Sequence, residues 1–159
     1  MDLFEALANM KDTMEGKKPP KKLKYNKKEI AEIKAQEPLS VNESVSLLGG
    51  VVKNNRFESE EYVLLKNPHP LISNVLLTTS KDGTKILEIE FLEALSNLTA
   101  KKYQPLDTVG EILKNWGVEK VPEKVKDIID IIFGSTVKIL KLSRDGNQHI
   151  VENFSVVGD

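Results

Sequence analysis

Residues 72–91 read ISNVLLTTSKDGTKILEIEF: two β-prone runs either side of Lys81-Asp82-Gly83, a pattern that predicts an antiparallel hairpin. In the second run Leu87, Ile89 and Phe91 alternate with Glu88 and Glu90, so that strand has one apolar face and one wet face. A second hairpin is predicted from 137–142, through Arg144-Asp145-Gly146, to 150–157. Ser80-Lys81-Asp82-Gly83 and Ser143-Arg144-Asp145-Gly146 are alike, and each aspartate is followed nine residues later by a phenylalanine, Phe91 or Phe154. Either an internal duplication or the commonness of Asp-Gly turns between strands accounts for the likeness.

Between the hairpins lies a predicted helical pair over 106–134. Asp107 or Thr108 is placed to cap its first helix, Val109, Ile112, Leu113 and Trp116 form the buried stripe, and Gly117 is placed as the C-terminal cap. Pro122 suits the first turn of the second helix, whose core face is Val125, Ile128, Ile129 and Ile132 before Gly134. Two further strands are expected at 45–52, with Gly49-Gly50 as a bulge or bend, and at 62–65, and a short helix at 91–98. The fold class is therefore α+β, with antiparallel β-hairpins packed on a helical pair, over a domain of residues 38–159.

Residues 1–37 differ in character. Leu3, Phe4, Leu7, Met10 and Met14 recur at helical spacing behind an Asp2/Glu5 capping-box pattern, so a short amphipathic helix is expected. Gly16 ends it, and Pro19-Pro20 among lysines makes 17–25 an extended linker. Asn26 caps a second short helix with Glu29 at its third position, and Ile30 and Ile33 form its narrow apolar edge before Pro38. Such a mostly helical arm either docks on another molecule or folds back on its own domain. The segment from Gly16 to Lys28 holds seven lysines and no acid, while the chain's net charge is −1, so the remainder is about −8. Arm and body pull oppositely on a polyanion.

Composition narrows the chemistry. A chain of 159 residues with 40% hydrophobic and 30% charged residues suits one globular domain with an extension. With no cysteine there is no disulfide and no thiolate catalysis, in keeping with a reducing compartment. No apolar stretch reaches the roughly 18 residues of a membrane span, and the N-terminus does not read as a signal peptide, so a cytoplasmic protein is expected. There is no P-loop, no Gly-x-Ser-x-Gly elbow and no Gly-x-Gly-x-x-Gly. His69, between two prolines, reads as a loop residue and His149 as a strand surface residue, without metal-ligand spacing. Asp82 with Glu88-Ile89-Glu90 looks like a metal-dependent nuclease core, but Glu90 stands where a lysine belongs, so a solvated strand face is expected. Glu58, Glu60 and Glu61 read as a solvated strand start. No catalytic residue, metal or cofactor is assigned.

The helical pair is similar to three families. Around Gly117 it resembles the DNA-binding helix-turn-helix, but Glu123, Asp127 and Asp130 would repel phosphate. Thr108, Val109, Glu111, Leu113, Gly117, Lys124 and Ile128 are similar to the SAP motif, without its basic, glycine-containing turn. Asp107-Thr108-Val109, Ile112, Trp116, Gly117 and Val118 resemble the LysM domain, a βααβ unit, over residues 103–140; Leu106 stands in place of its glycine, and the second helix is longer and lacks its asparagine. The LysM resemblance implies binding of N-acetylglucosamine polymers, or a structural part in contractile phage tails and related injection machines. A helical hairpin packed on a sheet with no inherited function is the alternative.

The expectation drawn from these residues is a non-enzymatic structural or adaptor subunit of a larger assembly, possessing a protein partner or forming a homo-oligomer, with Leu3, Phe4, Leu7 and Met10 docking in a partner groove. The alternative is a nucleic-acid-binding accessory protein whose Lys17, Lys18, Lys21, Lys22, Lys24, Lys27 and Lys28 contact phosphates, with Tyr25 stacking on a base.

Overall fold

The computed structural model describes residues 23–50, 56–67 and 69–157. They form an α+β domain, in the order α1 (Lys27–Ala35), α2 (Val41–Leu47), α3 (Arg56–Lys66), β1 (Leu71–Thr79), β2 (Lys85–Leu92), β3 (Thr99–Pro105), a 3₁₀ turn (Leu106–Thr108), α4 (Val109–Asn115), α5 (Val125–Ile132), β4 (Val137–Asp145) and β5 (Gln148–Val156). The strands make one mixed sheet ordered β1-β2-β3-β5-β4, with β3 and β5 parallel and the other neighbours antiparallel. Both predicted hairpins and the helical pair are present. The stripe Leu3, Phe4, Leu7 and Met10 lies outside the described residues, as do Lys17, Lys18, Lys21 and Lys22.

Neither segment expected as a strand, at 45–52 and 62–65, is one where described: the first is helical to Leu47 and then turns through 48–50, and the second lies within α3. Ser40 accepts a hydrogen bond from the Glu43 amide while the Glu43 carboxylate accepts from the Ser40 amide, a capping box that starts α2 despite its two valines. In α3 the apolar stripe Phe57, Val63 and Leu64 recurs at helical spacing, and Val63 and Leu64 are fully buried. The four-residue window from Tyr62 to Leu65 shows β-prone residues and hides this period. The helix expected at 91–98 is also absent, because β2 continues to Leu92 and a turn follows. The buried Glu93 carboxylate builds that turn by accepting from the amides of Leu95 and Ser96, each at 2.8 Å, from the Ser96 hydroxyl, and from Asn67 Nδ2 at 2.6 Å. Burial pushes the Glu93 carboxyl up, against the pull of these donors. Pro122 precedes α5 by three residues and does not open it.

One face of the sheet carries the main core. Leu87, Ile89 and Phe91 on β2 pack with Leu64 of α3, Val109 and Leu113 of α4, and Ile128 and Ile132 of α5. The opposite face is covered at one end by α1, where Ile30 meets Leu71 and Leu92, flanked by Tyr25, Ile33 and Phe133. The Asn26–Glu29 capping box opens α1 as the sequence predicts, and Lys34 ties it to Glu90 of β2 at 3.1 Å. Leu23 to Tyr25 are laid against residues 134–136, just ahead of β4: the Leu23 carbonyl accepts from the Thr136 amide and the Tyr25 amide donates to Gly134. Gly134 has φ +78, and a Cβ there would come within 1.9 Å of the Tyr25 carbonyl oxygen, so only glycine fits this close approach.

Candidate functional site

The sheet has two edge strands, and they are built differently. Among the described residues the outer edge of β1 is occupied only at its start, where Ile72 donates to Ser135, Gly134 donates to Ile72, and Val137 donates to Pro70. From there β1 and β4 run in opposite directions and separate. Over Leu76–Thr79 all four residues are exposed, and among the described residues they pair only with β2. Nothing in β1, LISNVLLTT, carries a charge, and its single irregularity lies back at Ile72/Asn74. Leu76 is 48% exposed and Leu77 42%.

The other edge, β4, reads VKILKLSRD and carries Lys138, Lys141 and Arg144, with register shifts between Ile139 and Leu142. Charge and bulge are the devices by which edge strands avoid pairing with other chains. β4 has both, and the free half of β1 has neither. On the uncovered part of the outer face, the register sets Leu76 beside Glu88 and Glu88 beside Tyr103, itself an exposed aromatic.

The β4–β5 hairpin is anchored by a pair that sequence reasoning placed at the surface. His149 is 3% exposed and Glu60 5%, and His149 Nε2 lies 2.8 Å from Glu60 Oε2. Glu60 is therefore not part of a solvated strand start, nor His149 a surface residue. Arg56 Nε reaches the other oxygen of Glu60 at 2.8 Å, Phe57 packs edge-on to the imidazole, and the Arg144 guanidinium sits 4.8 Å from the Phe57 ring centre. With a carboxylate oxygen as acceptor, Nε2 carries the hydrogen, and Nδ1 has no partner among the described residues. A histidine–carboxylate pair can orient a proton for catalysis. Here it is enclosed between α3 and the hairpin, and its evident effect is to pin helix to sheet. One signal was available: once 56–66 is read as a helix, Glu60 falls inside the stripe of Phe57, Val63 and Leu64, where a carboxylate needs a partner.

Of the lysines proposed to grip phosphate, those described are already divided in their roles. Lys24 Nζ donates to the carbonyl oxygens of Asp130 and Ile131 at 2.8 and 2.6 Å, satisfying the end of α5, and burial pulls its pKa down while Asp130 partly restores it. Lys27 and Lys28 are exposed in the first turn of α1. Tyr25 is half-buried against the α1 cluster, and that burial raises its pKa.

A groove of about 450 Å³ runs beside α4, lined by Lys102, Gln104, Glu111, Asn115, Trp116 and Glu152 among others. Trp116 stands edge-on to Phe154 with ring centres 5.7 Å apart. Burial lowers the Lys102 pKa, offset in part by Glu152, and its ammonium donates to the Glu152 carbonyl at 3.3 Å. β5 lies between β3 and β4, so the strands that flank the helical pair do not pair with each other. Among the described residues no helix is long and apolar enough to cross a membrane, and no group of three histidine, aspartate or glutamate side chains is placed to hold a metal.

No family model matches this chain, and neither a curated protein nor a solved structure does.

Proposed function

We propose that this chain is a non-enzymatic structural or adaptor subunit that works by binding protein, and that it does so by strand addition at β1. The observation that carries this reading is the uncharged, exposed Leu76–Thr79 edge beside a second edge that is charged and bulged. An extended strand laid there gains main-chain hydrogen bonds from β1, while Leu76 and Leu77 offer apolar contact on the two faces. The stripe Leu3, Phe4, Leu7 and Met10, whose sequence spacing is that of an amphipathic helix, is a second contact within the same reading. The nucleic-acid alternative has less to draw on, because Lys24 is engaged at the end of α5 and Tyr25 packs in the α1 cluster.

The test is affinity capture with the full chain as bait, beside a variant carrying Leu76→Lys and Leu77→Lys. Protein retained by the wild type, whether a different chain or the same one, should be lost by a variant whose circular dichroism is unchanged. A variant that keeps every bound protein would remove β1 from the account.

A further inference from the structure

We infer that the strand added at β1 is β1 of a second copy of this chain, running antiparallel about a two-fold axis at Leu77, so that two five-stranded sheets become one. This rests on the protein-binding reading above and names its occupant.

Three features of the edge point to a copy of itself. The first is the direction of the backbone. The Ser80 amide donates to the Thr84 carbonyl, so Ser80 faces β2, and by strand alternation so do Thr78 and Leu76. The amides and carbonyls of Leu77 and Thr79 therefore turn outward. Leu77 set opposite its own copy forms a hydrogen-bonded pair in which each residue donates once and accepts once. An axis through that pair and normal to the sheet also keeps both core faces on the same side.

The second is the apolar row. Leu77 is opposite Leu87 on β2, which is fully buried in the main core, yet Leu77 itself is 42% exposed because the row stops at the edge. The two-fold continues it as Leu87, Leu77, Leu77 and Leu87, while Leu76 on the other face meets Thr78 of the copy. An apolar residue left half-exposed at the end of a core row is completed by the same residue rotated onto it.

The third is charge. Residues 71–80 carry none, so identical strands meet without like charges facing across the junction, and Lys81 of one copy comes level with Ser73 of the other. β4 cannot do the same, since its lysines would approach their own images along a bulged ladder. A self-complementary patch closes at two copies.

The chain has no cysteine, so a single thiol reports position cleanly. Sedimentation equilibrium of the purified full chain, from micromolar to millimolar, should show a reversible doubling of mass. Leu77→Cys should form a disulfide-linked dimer under mild oxidation, Lys141→Cys on β4 should not, and Leu77→Lys should remain monomeric with an unchanged circular dichroism spectrum. A second substitution, Thr79→Lys, repeats the test at an exposed position should the first disturb the fold. A chain that is monomeric throughout overturns the inference. So does a dimer that survives Leu77→Lys or fails to crosslink through Leu77→Cys. A monomer that loses a different bound protein when Leu77 is charged overturns the self-pairing and leaves the protein-binding reading intact, whereas a monomer indifferent to that change removes both.

Discussion

The two hairpins share a turn sequence and a spaced phenylalanine, yet the molecule uses them for different purposes. In β1–β2 the turn is a three-residue loop of Lys81, Asp82 and Gly83, with Ser80 paired to Thr84 and Asp82 accepting from the Ser80 hydroxyl and the Thr84 amide. In β4–β5 the first strand of the ladder runs two residues further, to the aspartate, so Asp145 pairs with Gln148 and the loop is Gly146 and Asn147. The same four-residue pattern thus puts its aspartate in a loop in one hairpin and in a strand in the other. Further from the turns the contrast grows. The β4–β5 hairpin is pinned to α3 through His149 and Glu60 and its edge is charged, whereas the distal half of β1 is uncharged and, among the described residues, pairs only with β2. The lesson is that likeness at a turn says little about the strands it joins, since register and neighbours decide what each strand presents.

The most disruptive way to separate the two hairpins is through their phenylalanines, which meet edge-to-face with ring centres 5.1 Å apart. Phe91 is fully buried and Phe154 only partly, so Phe91→Ala should cost about 3–5 kcal/mol and Phe154→Ala less. Urea denaturation of the two variants ranks them; equal losses would mean that the hairpins contribute alike to the core.

Next in size is the anchor. His149→Ala strips Glu60 of a buried partner and should lower stability by about 2–3 kcal/mol. Hydrogen exchange should quicken first in β5 and α3, and a uniform change across the sheet would mean that the pair does not hold the hairpin locally.

A smaller effect is expected from making the edges resemble one another. Lys141→Leu removes one charge from β4 but leaves its bulge, so stability should shift by no more than about 0.5 kcal/mol and the concentration dependence of the mass should not change. New association through β4 would show that the charge alone had guarded that edge.

The smallest concerns Asp82. Hydrogen bonds from the Ser80 hydroxyl and Thr84 hold its carboxyl down at about 2. A carboxyl depressed on folding supports the folded state above its ordinary pKa, and that support is lost as the pH falls through about 2. Carbon-detected titration of the side chain should give a midpoint near that value. Ser80→Ala should raise it, with almost no change in stability because Asp82 is fully exposed.

Much of this architecture is local and was therefore readable. Alternation around Lys81-Asp82-Gly83, the Asn26–Glu29 box, and the apolar stripe that ends at Gly117, where φ is +86, each involve residues within a few positions of one another. The misread helices α2 and α3 are runs where a few β-prone side chains outweighed caps and a longer period. Glu60 and His149 are 89 residues apart, and neither carries any local sign of the other.

By itself the sequence determined the α+β class, the two hairpins and the helical pair, because hydrophobic period and turn chemistry act over a few residues. Only the tertiary structure decided that Glu60 and His149 meet, that Leu23 to Tyr25 lie against Gly134 and Thr136, and that β1 and β4 are the edges of the sheet formed by the described residues. Edges and buried pairs are properties of how distant segments are ordered in space, and that ordering depends on the packing of the whole chain.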